Sequence, residues 1–518
     1  MSHDERLLAL RQRLGPRLPT IALAVLLAVV AAAAIGMHRP GMGWGDDWTL
    51  YLRQAESLYE GHVGEVIADN HFNVDNAAKP GFSPYVYPWG FPIVMAPFLR
   101  FFGQDWDLLR LVGVASLCLF LLFFHRLVRR RMDAWPAVGV VAAVGTTMAY
   151  LEHTGHLLSE LPFMASVAGC LWYLDRLRHD AKRAPRPLHL ASRRQLVTLA
   201  LAAVWAFNIR REGLAVLGAI AVALAADVWP AERPIATLAR QWRTLPWRLL
   251  ATPFVAWLAG AALFQFLLPS AIAPEYEDAG LHQVWKKLGG PYRTAFAEQL
   301  GFPDLRGTAL LVVFLVVVAG VGVRLWRAAS ADLPLLVVAV GTLTMAGSIH
   351  AVSPRYLMTA TPFAVYFGAQ ALAALPLPRR AGPWVAVAVL TLATAHHLTK
   401  VPSQVAYAAD LRDMGAVLDG PDAPYAQAAF TAVRTYTHED DVVAFFKARA
   451  LTYFTGRRAV QSSELDVVQQ RADYSMMRKD STFSQSLVTD SEAAAMGWVK
   501  VWEDDEWVLW RLPLYESG

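Results

Sequence analysis

Apolar runs long enough to cross a bilayer recur along this chain, joined by short loops rich in arginine. No other feature limits its folding as strongly. The first run, Thr20 to Gly36, reads TIALAVLLAVVAAAAIG and carries no charge. A helix needs about 20 mainly apolar residues to span the hydrocarbon. By that measure the sequence predicts about eleven spans, centred near residues 28, 117, 142, 168, 201, 220, 258, 316, 341, 364 and 390. The fold class expected is therefore a polytopic α-helical membrane protein. Composition agrees: 518 residues, 55% hydrophobic and 17% charged, are too apolar for an ordinary soluble enzyme. Basic residues before Thr20 resemble a signal peptide's start, but no convincing cleavage site follows, so the first run is expected to stay as a span.

The loops carrying Arg6 to Arg17, Arg126 to Arg131, Arg176 to Arg194, Arg233 to Arg248, Arg324 with Arg327, and Arg379 with Arg380 alternate with poorly basic ones. Positive-inside then places the N-terminus in the cytoplasm and the C-terminus outside. The net charge of +4 follows from this topology, and no nucleic-acid partner is expected. Cys118 and Cys170, the only cysteines, both lie in apolar runs, which excludes a disulfide framework or a cysteine metal site.

The outer loop from residue 38 to 106 is too long for a plain connection. Its Gly43 to Glu60 segment, GWGDDWTLYLRQAESLYE, puts Trp48, Tyr51, Leu52, Ala55, Leu58 and Tyr59 on one helical face and Arg53, Gln54, Glu56 and Glu60 on the other. That pattern predicts an interfacial helix. Asp46 and Asp47 stand at its N-terminus, where free N–H groups and the helix dipole favour an ionised carboxylate able to accept a proton. The plain alternative is an N-cap. YVYPWGFPIVMAPFLRFFG, broken by Pro88, Pro92 and Pro97, predicts a second interfacial helix.

Further charges fall on the same side: Glu160 in LLSELPF, Arg210, Arg211 and Glu212 in NIRREGL, and Arg355 in SPRYLMTATPF. Any one of them can be a snorkelling anchor. Together with Asp46 and Asp47 they suit a reaction that needs both a base and a phosphate clamp. Glu152, His153, His156 and Glu160, with Asp69, His71 and Asp75, offer metal ligands at no diagnostic spacing, so a divalent cation stays open. Residues 400–518 change composition and read as a small soluble α/β domain. Strands DVVAFF and RAVQ flank a helical KARALTYFTG, and WVKVWEDDEWVLWRL closes as a hairpin. The division expected is 1–399 for the membrane domain and 400–518 for the outer one.

In order and in sidedness these motifs resemble the class C (GT-C) membrane glycosyltransferases that use polyprenyl-phosphate sugars, such as the aminoarabinose transferases and protein O-mannosyltransferases. GDDWTLYLRQAESL is similar to the family's acidic pair after the first span, YVYPWGFPIVMAPFLRFFG to its second interfacial helix, LLSELPF to its second acidic site, and SPRYLMTATPF to its Arg-Tyr start of a late span. The chain departs from it in having Asp-Asp where many relatives have Asp-Glu, and Tyr87-Pro88-Trp89-Gly90 in place of a Lys-Pro-Pro sequence.

The resemblance implies an inverting transfer from a polyprenyl-phosphate sugar to a lipid, glycan or protein acceptor, at the outer face of a bacterial inner membrane. It implies Asp46 as base, with Asp47 open as the alternative, and Asp47 and Glu160 to orient the acceptor or hold an ion. Arg355, then Arg210, Arg211 and Lys79, are implied as phosphate ligands, and Tyr85, Tyr87, Trp89, His156 and Tyr356 as substrate contacts. The alternatives are a secondary transporter, against which stands the lack of paired half-repeats, and a noncatalytic glycan-assembly subunit.

Overall fold

The computed structural model describes residues 17–77, 84–178, 188–228, 247–271, 280–288, 290–348, 353–378, 381–479 and 485–513. Helices form where the apolar runs lie: α1 (Leu18–Gly36), α2 (Asp46–Glu60), α3 (Val63–Asp75), α4 (Gly90–Phe102), α5 (Trp106–Arg129), α6 (Ala134–Gly145), α7 (Met148–His153), α8 (Glu160–Arg178), α9 (Arg193–Ile209), α10 (Leu214–Val228) and α11 (Trp247–Leu267). Next come α12 (Leu281–Leu288), α13 (Pro291–Gln299), α14 (Gly307–Ser348), α15 (Thr361–Ala373), α16 (Gly382–Leu398) and α17 (Val401–Asp413). α14 breaks at Ala328, whose φ of −154° and ψ of 45° are non-helical, so it supplies two apolar rods. α2 and α4 form at the two segments with interfacial patterning, and α3 adds a further helix between them.

Among the described residues, five helical segments are long and apolar enough to cross a membrane by length and composition. They are Leu18–Gly36, Trp106–Arg129, Trp247–Leu267, Gly307–Ser348 and Gly382–Asp413. Much of their surface faces outward: on α11, Leu258 is 65% and Phe266 84% exposed, as lipid-facing side chains must be. The last segment joins α16 to α17 through a turn at Thr399 and Lys400.

The C-terminal sheet has strands β1 (Val442–Ala444), β2 (Arg458–Val460), β3 (Tyr474–Arg478), β4 (Val499–Glu503) and β5 (Trp507–Arg511) in the order β2-β1-β3-β5-β4. β1 pairs in parallel with β2 and β3, while β5 runs antiparallel to β3 and β4. Alternation along β5 sends Trp507 and Leu509 to one core with Phe430, Phe445 and Phe446, and Val508 and Trp510 to a second with Val468 and Trp498. The helices α18 (Pro424–Tyr436), α19 (Ala448–Thr455), α20 (Leu465–Arg471) and α21 (Asp490–Ala495) complete this unit.

Two contacts seat the sheet unit on the helices. The Trp44 ring lies 4.9 Å from Phe446 and 6.0 Å from Phe445, and its Nε1 donates to Asp419 Oδ1 at 3.2 Å. Asp422 accepts from the Met42 N–H at 2.7 Å and from Trp106 Nε1 at 3.0 Å.

A separate ion network ties four helices together. Arg131, just past α5, pairs with Asp175 of α8 at 2.8 Å and with Asp332 of α14 at 2.8 Å, while Arg324 and the Tyr366 hydroxyl also bond Asp332. Asp332 is fully buried, so truncating it leaves buried arginine charge undercompensated. Asp332→Ala should cost about 3–5 kcal/mol of stability, read as a lowered unfolding temperature in detergent, and Asp332→Glu should recover part of it.

Candidate active site

Gly45 is extended, with φ of −163°, and starts α2 so that Asp46 and Asp47 occupy its first turn. Trp48 folds back to donate from Nε1 to Gly43 O at 3.2 Å. A Cβ on Gly45 would meet Trp48 Cδ1 at 2.9 Å, so only glycine leaves room for this tuck.

The two aspartates, adjacent in sequence, meet different surroundings. Asp47 Oδ2 accepts from Arg355 Nη2 at 2.6 Å and Asp47 Oδ1 from the Tyr87 hydroxyl at 2.6 Å. Burial raises its carboxyl pKa, but the Arg355 charge and these hydrogen bonds outweigh burial and hold it below the usual range. Among the described residues, Asp46 pairs with Lys447, 3.5 Å from Oδ2, and its Oδ1 is buried without a hydrogen-bond partner. Burial is the largest influence and, despite Lys447 and Arg449, pushes the Asp46 pKa up. One acid is thus held ionised, and the other has the higher proton affinity.

From Asp47 a chain of opposite charges runs inward. Arg355 Nε lies 3.5 Å from Glu160 Oε1, which Arg210 Nη1 also meets at 2.7 Å; Arg210 Nη2 continues to Glu212 at 2.9 Å. Glu160 Oε2 faces His153 Nε2 at 3.3 Å. The Tyr356 ring lies under both guanidiniums, 5.5 Å from Arg355 and 5.9 Å from Arg210.

Two cavities meet at the Asp47–Arg355 pair. The larger, ≈ 570 Å³, is lined by Asp46, Asp47, Arg355, His156, Glu152 and Lys447 among others. The smaller, ≈ 80 Å³, is lined by Asp47, Tyr87, Arg210, Arg211, Glu212, Arg355 and Tyr356 among others. Burial drives the His156 pKa down to about 4, with help from His153 and Arg110, so its ring is neutral near pH 7.

Most residues expected at the site therefore gather here: Asp46, Asp47, Glu160, Arg210, Arg355, Tyr87, His156 and Tyr356. Arg211 lines the smaller cavity but donates to Ser270 and stacks on Phe207 at 4.4 Å. Trp89 is 0% exposed, donates from Nε1 to Pro269 O at 2.8 Å and so anchors α4, and it lines neither of these two cavities. Tyr85 likewise stacks on His71 at 4.1 Å and is absent from both cavity walls. Lys79 lies outside the described residues.

Among the described residues no three His, Cys, Asp or Glu side chains converge as a metal-ligating group. Asp47 and Glu160 are both engaged by arginines, and Asp69 pairs with Arg53 at 2.9 Å and Arg458 at 3.1 Å.

Sequence reasoning missed Lys447, Arg449 and Gln461, which reach the larger cavity from the sheet unit. Lys447 stands 401 positions from Asp46, and no local pattern signals that meeting. The region after 400 therefore forms part of the cavity wall.

No family model matches the chain, and no curated protein matches it. Among solved structures, ArnT from Cupriavidus metallidurans bound to undecaprenyl phosphate superposes with a TM-score of 0.55 at 13% identity, over 95% of this chain and 97% of that one. The apo state of ArnT gives 0.52 at 13% identity, over 95% and 98%. The Archaeoglobus fulgidus oligosaccharyltransferase in its apo form gives 0.53 at 12% identity, over 88% of this chain and 69% of that one. The chain has a GT-C-like fold.

The two acids should respond oppositely to neutralisation. A raised folded pKa means that Asp46 costs stability once ionised, so Asp46→Asn should raise the unfolding temperature at pH 7. The gain should shrink as pH falls through the folded pKa and vanish below the unfolded one. Asp47, held low, contributes stability above its unfolded pKa that is lost as pH falls through its folded one. Asp47→Asn should therefore destabilise at pH 7, by on the order of 1–3 kcal/mol for a lost charged hydrogen bond. Thermal unfolding of both variants across pH checks the pair of signs.

Proposed function

We propose that this GT-C-fold chain is a membrane glycosyltransferase that moves a sugar from a polyprenyl-phosphate donor to an acceptor hydroxyl, inverting the anomeric centre, on the extracytoplasmic face. The observation that carries this reading is the pair of cavities meeting at Asp47 and Arg355, with the more basic acid in one and two further arginines in the other. A two-substrate displacement needs that separation, because nucleophile and leaving group lie on opposite faces of the sugar.

The smaller cavity takes the donor phosphate. Arg210, Arg211 and Arg355 line it beside Asp47 and Glu212, and Glu160 pairs with Arg210 and Arg355. A guanidinium has five N–H donors, and two carboxylate contacts leave Arg355 capacity for phosphate oxygens. Fixed before reaction, these donors stabilise the charge that grows on the leaving phosphate.

The acceptor enters the larger cavity. Its hydroxyl proton passes to Asp46 as the oxygen attacks the anomeric carbon and the bond to phosphate oxygen breaks. The proton then leaves Asp46 for water, and the polyprenyl phosphate departs as the free anion. The uncommitted Oδ1 and raised pKa of Asp46 fit this role better than the doubly bonded Asp47 does. Tyr87 and Arg355 hold Asp47 at the junction of the two cavities, where the acceptor oxygen meets the anomeric carbon.

The undecaprenyl phosphate bound to ArnT supports a lipid phosphate as the donor's carrier. Alternating basic loops support about eleven spans, an inner-membrane location, a cytoplasmic N-terminus and an outer C-terminus. Cysteine labelling at residues 129–131 should be blocked from outside and labelling in the 500–505 hairpin allowed; the reverse pattern overturns the topology.

Undecaprenyl phosphate should bind the purified protein, and transfer from a saturating polyprenyl-phosphate sugar should depend on both cavities. Arg355→Ala should lose about 2–4 kcal/mol of transition-state stabilisation, with lysine restoring only part of it. Asp46→Asn should lower single turnover by roughly 10² to 10⁴ while undecaprenyl phosphate still binds. Full turnover in Asp46→Asn with a dead Asp47→Asn moves the base to Asp47; failure to bind the lipid phosphate removes the donor assignment.

A further inference from the structure

The segment Lys447-Ala448-Arg449 belongs to the sheet unit, yet its two cations serve the two aspartates of α2. Lys447 Nζ stands 3.5 Å from Asp46 Oδ2. Arg449 bonds Asn70 Oδ1 at 2.8 Å and Pro84 O at 3.0 Å, and its guanidinium lies 5.4 Å over the Tyr87 ring, whose hydroxyl donates to Asp47.

Resting on the glycosyl-transfer reading above, we propose that Lys447 is a positioning residue for the base Asp46, so that the catalytic site is complete only while the sheet unit is seated on the helices.

A surface lysine makes a weak ion pair because its long side chain must be ordered for little gain. Lys447 escapes that limit because its backbone is held. It follows Phe445 and Phe446, which are buried in the sheet unit's aromatic core, and the Phe445 N–H bonds Val460 O at 3.0 Å. The same two rings receive Trp44, two residues before Asp46. One aromatic cluster thus fixes the approach of both partners, and the ammonium meets the carboxylate where Asp46 has only 11% of its side chain in water.

The charge has chemical use at both ends of the step. Before reaction, Asp46 must be ionised although burial opposes ionisation, and an adjacent cation offsets part of that cost. Lys447 occupies Oδ2, so Oδ1, which is buried and has no hydrogen-bond partner among the described residues, is the oxygen left uncommitted for the acceptor's proton. After reaction the neutral carboxylic acid must release that proton, and the ammonium favours its loss. Of the other groups facing Asp46, Arg449 adds a smaller favourable charge from its seat on Asn70 and Pro84, Asp47 opposes ionisation, Arg355 is engaged by Asp47 and Glu160, and Glu152 and the neutral His156 line the same cavity.

Lys447→Met keeps the side chain's length without its charge. The acid limb of single-turnover transfer should move to higher pH, with ~10-fold or more activity lost at pH 7 and regained in alkaline buffer. Lys447→Arg should restore the profile, and undecaprenyl phosphate affinity should stay at the wild-type level. A second measurement needs no transfer assay. The stability gained from Asp46→Asn at pH 7 should be larger in the Lys447→Met background, because an uncompensated buried carboxylate is being removed.

An equal loss at every pH, or an unchanged effect of Asp46→Asn on the unfolding temperature, overturns the proposal. If the protein neither binds undecaprenyl phosphate nor transfers sugar while the stability coupling holds, the fault lies in the glycosyl-transfer reading, and the pairing of Lys447 with Asp46 stands.

Discussion

The Asp47–Arg355 ion pair joins the head of the first interfacial helix to the start of a late apolar helix, 308 positions away. Its charged hydrogen bonds contribute on the order of 1–3 kcal/mol to stability. Its further importance is geometric. Tyr87 from the approach to α4 takes the second oxygen of Asp47, and Glu160 at the head of α8 takes the Nε side of Arg355, so four separate segments share one register. A shift of any of them would merge the two cavities that this pair divides.

Carboxylates at such a boundary face opposing demands. Stability favours the arrangement of Asp47, in which every oxygen has a charged or hydroxyl partner. Proton transfer favours the arrangement of Asp46, whose second oxygen has none and whose burial makes the charge costly. Placing both in one helical turn lets the satisfied acid anchor the backbone that holds the unsatisfied one. This is the pattern expected where local rules are broken for chemistry and compensated nearby.

Much of this was legible from residue order alone. Apolar length located the helices, amphipathic spacing located α2, and proline-broken apolarity located α4. The acidic pair, Glu160, Arg210 and Arg355 could be grouped because loop charge placed them on one side. Single-side reasoning cannot tell which of two neighbouring residues turns inward, however. Tyr87 reaches Asp47 while Trp89, two positions on, is sealed against Pro269. Contacts between remote segments leave no local trace either: KARALTYFTG reads as an ordinary helix, and only the packing of Phe445 and Phe446 around Trp44 sends its lysine to Asp46.

That packing also explains why a folded unit outside the apolar helices belongs to the site. The acids open α2 directly after a connection from α1 that contains Gly41, Gly43 and Gly45 and has little stiffness of its own. Chemistry requires its carboxylates to be held within fractions of an ångström. From α5, Arg110 supplies part of that constraint, donating to Arg39 O at 2.8 Å and to Gly41 O. The sheet unit supplies the rest. Asp422 clasps the Met42 N–H, Leu418 N donates to Pro40 O at 2.9 Å, and the aromatic cluster closes over Trp44. The loop thereby gains rigidity from the sheet unit's core while Asp47 stays fastened to the apolar helices through Arg355, and the two carboxylates are fixed from both sides.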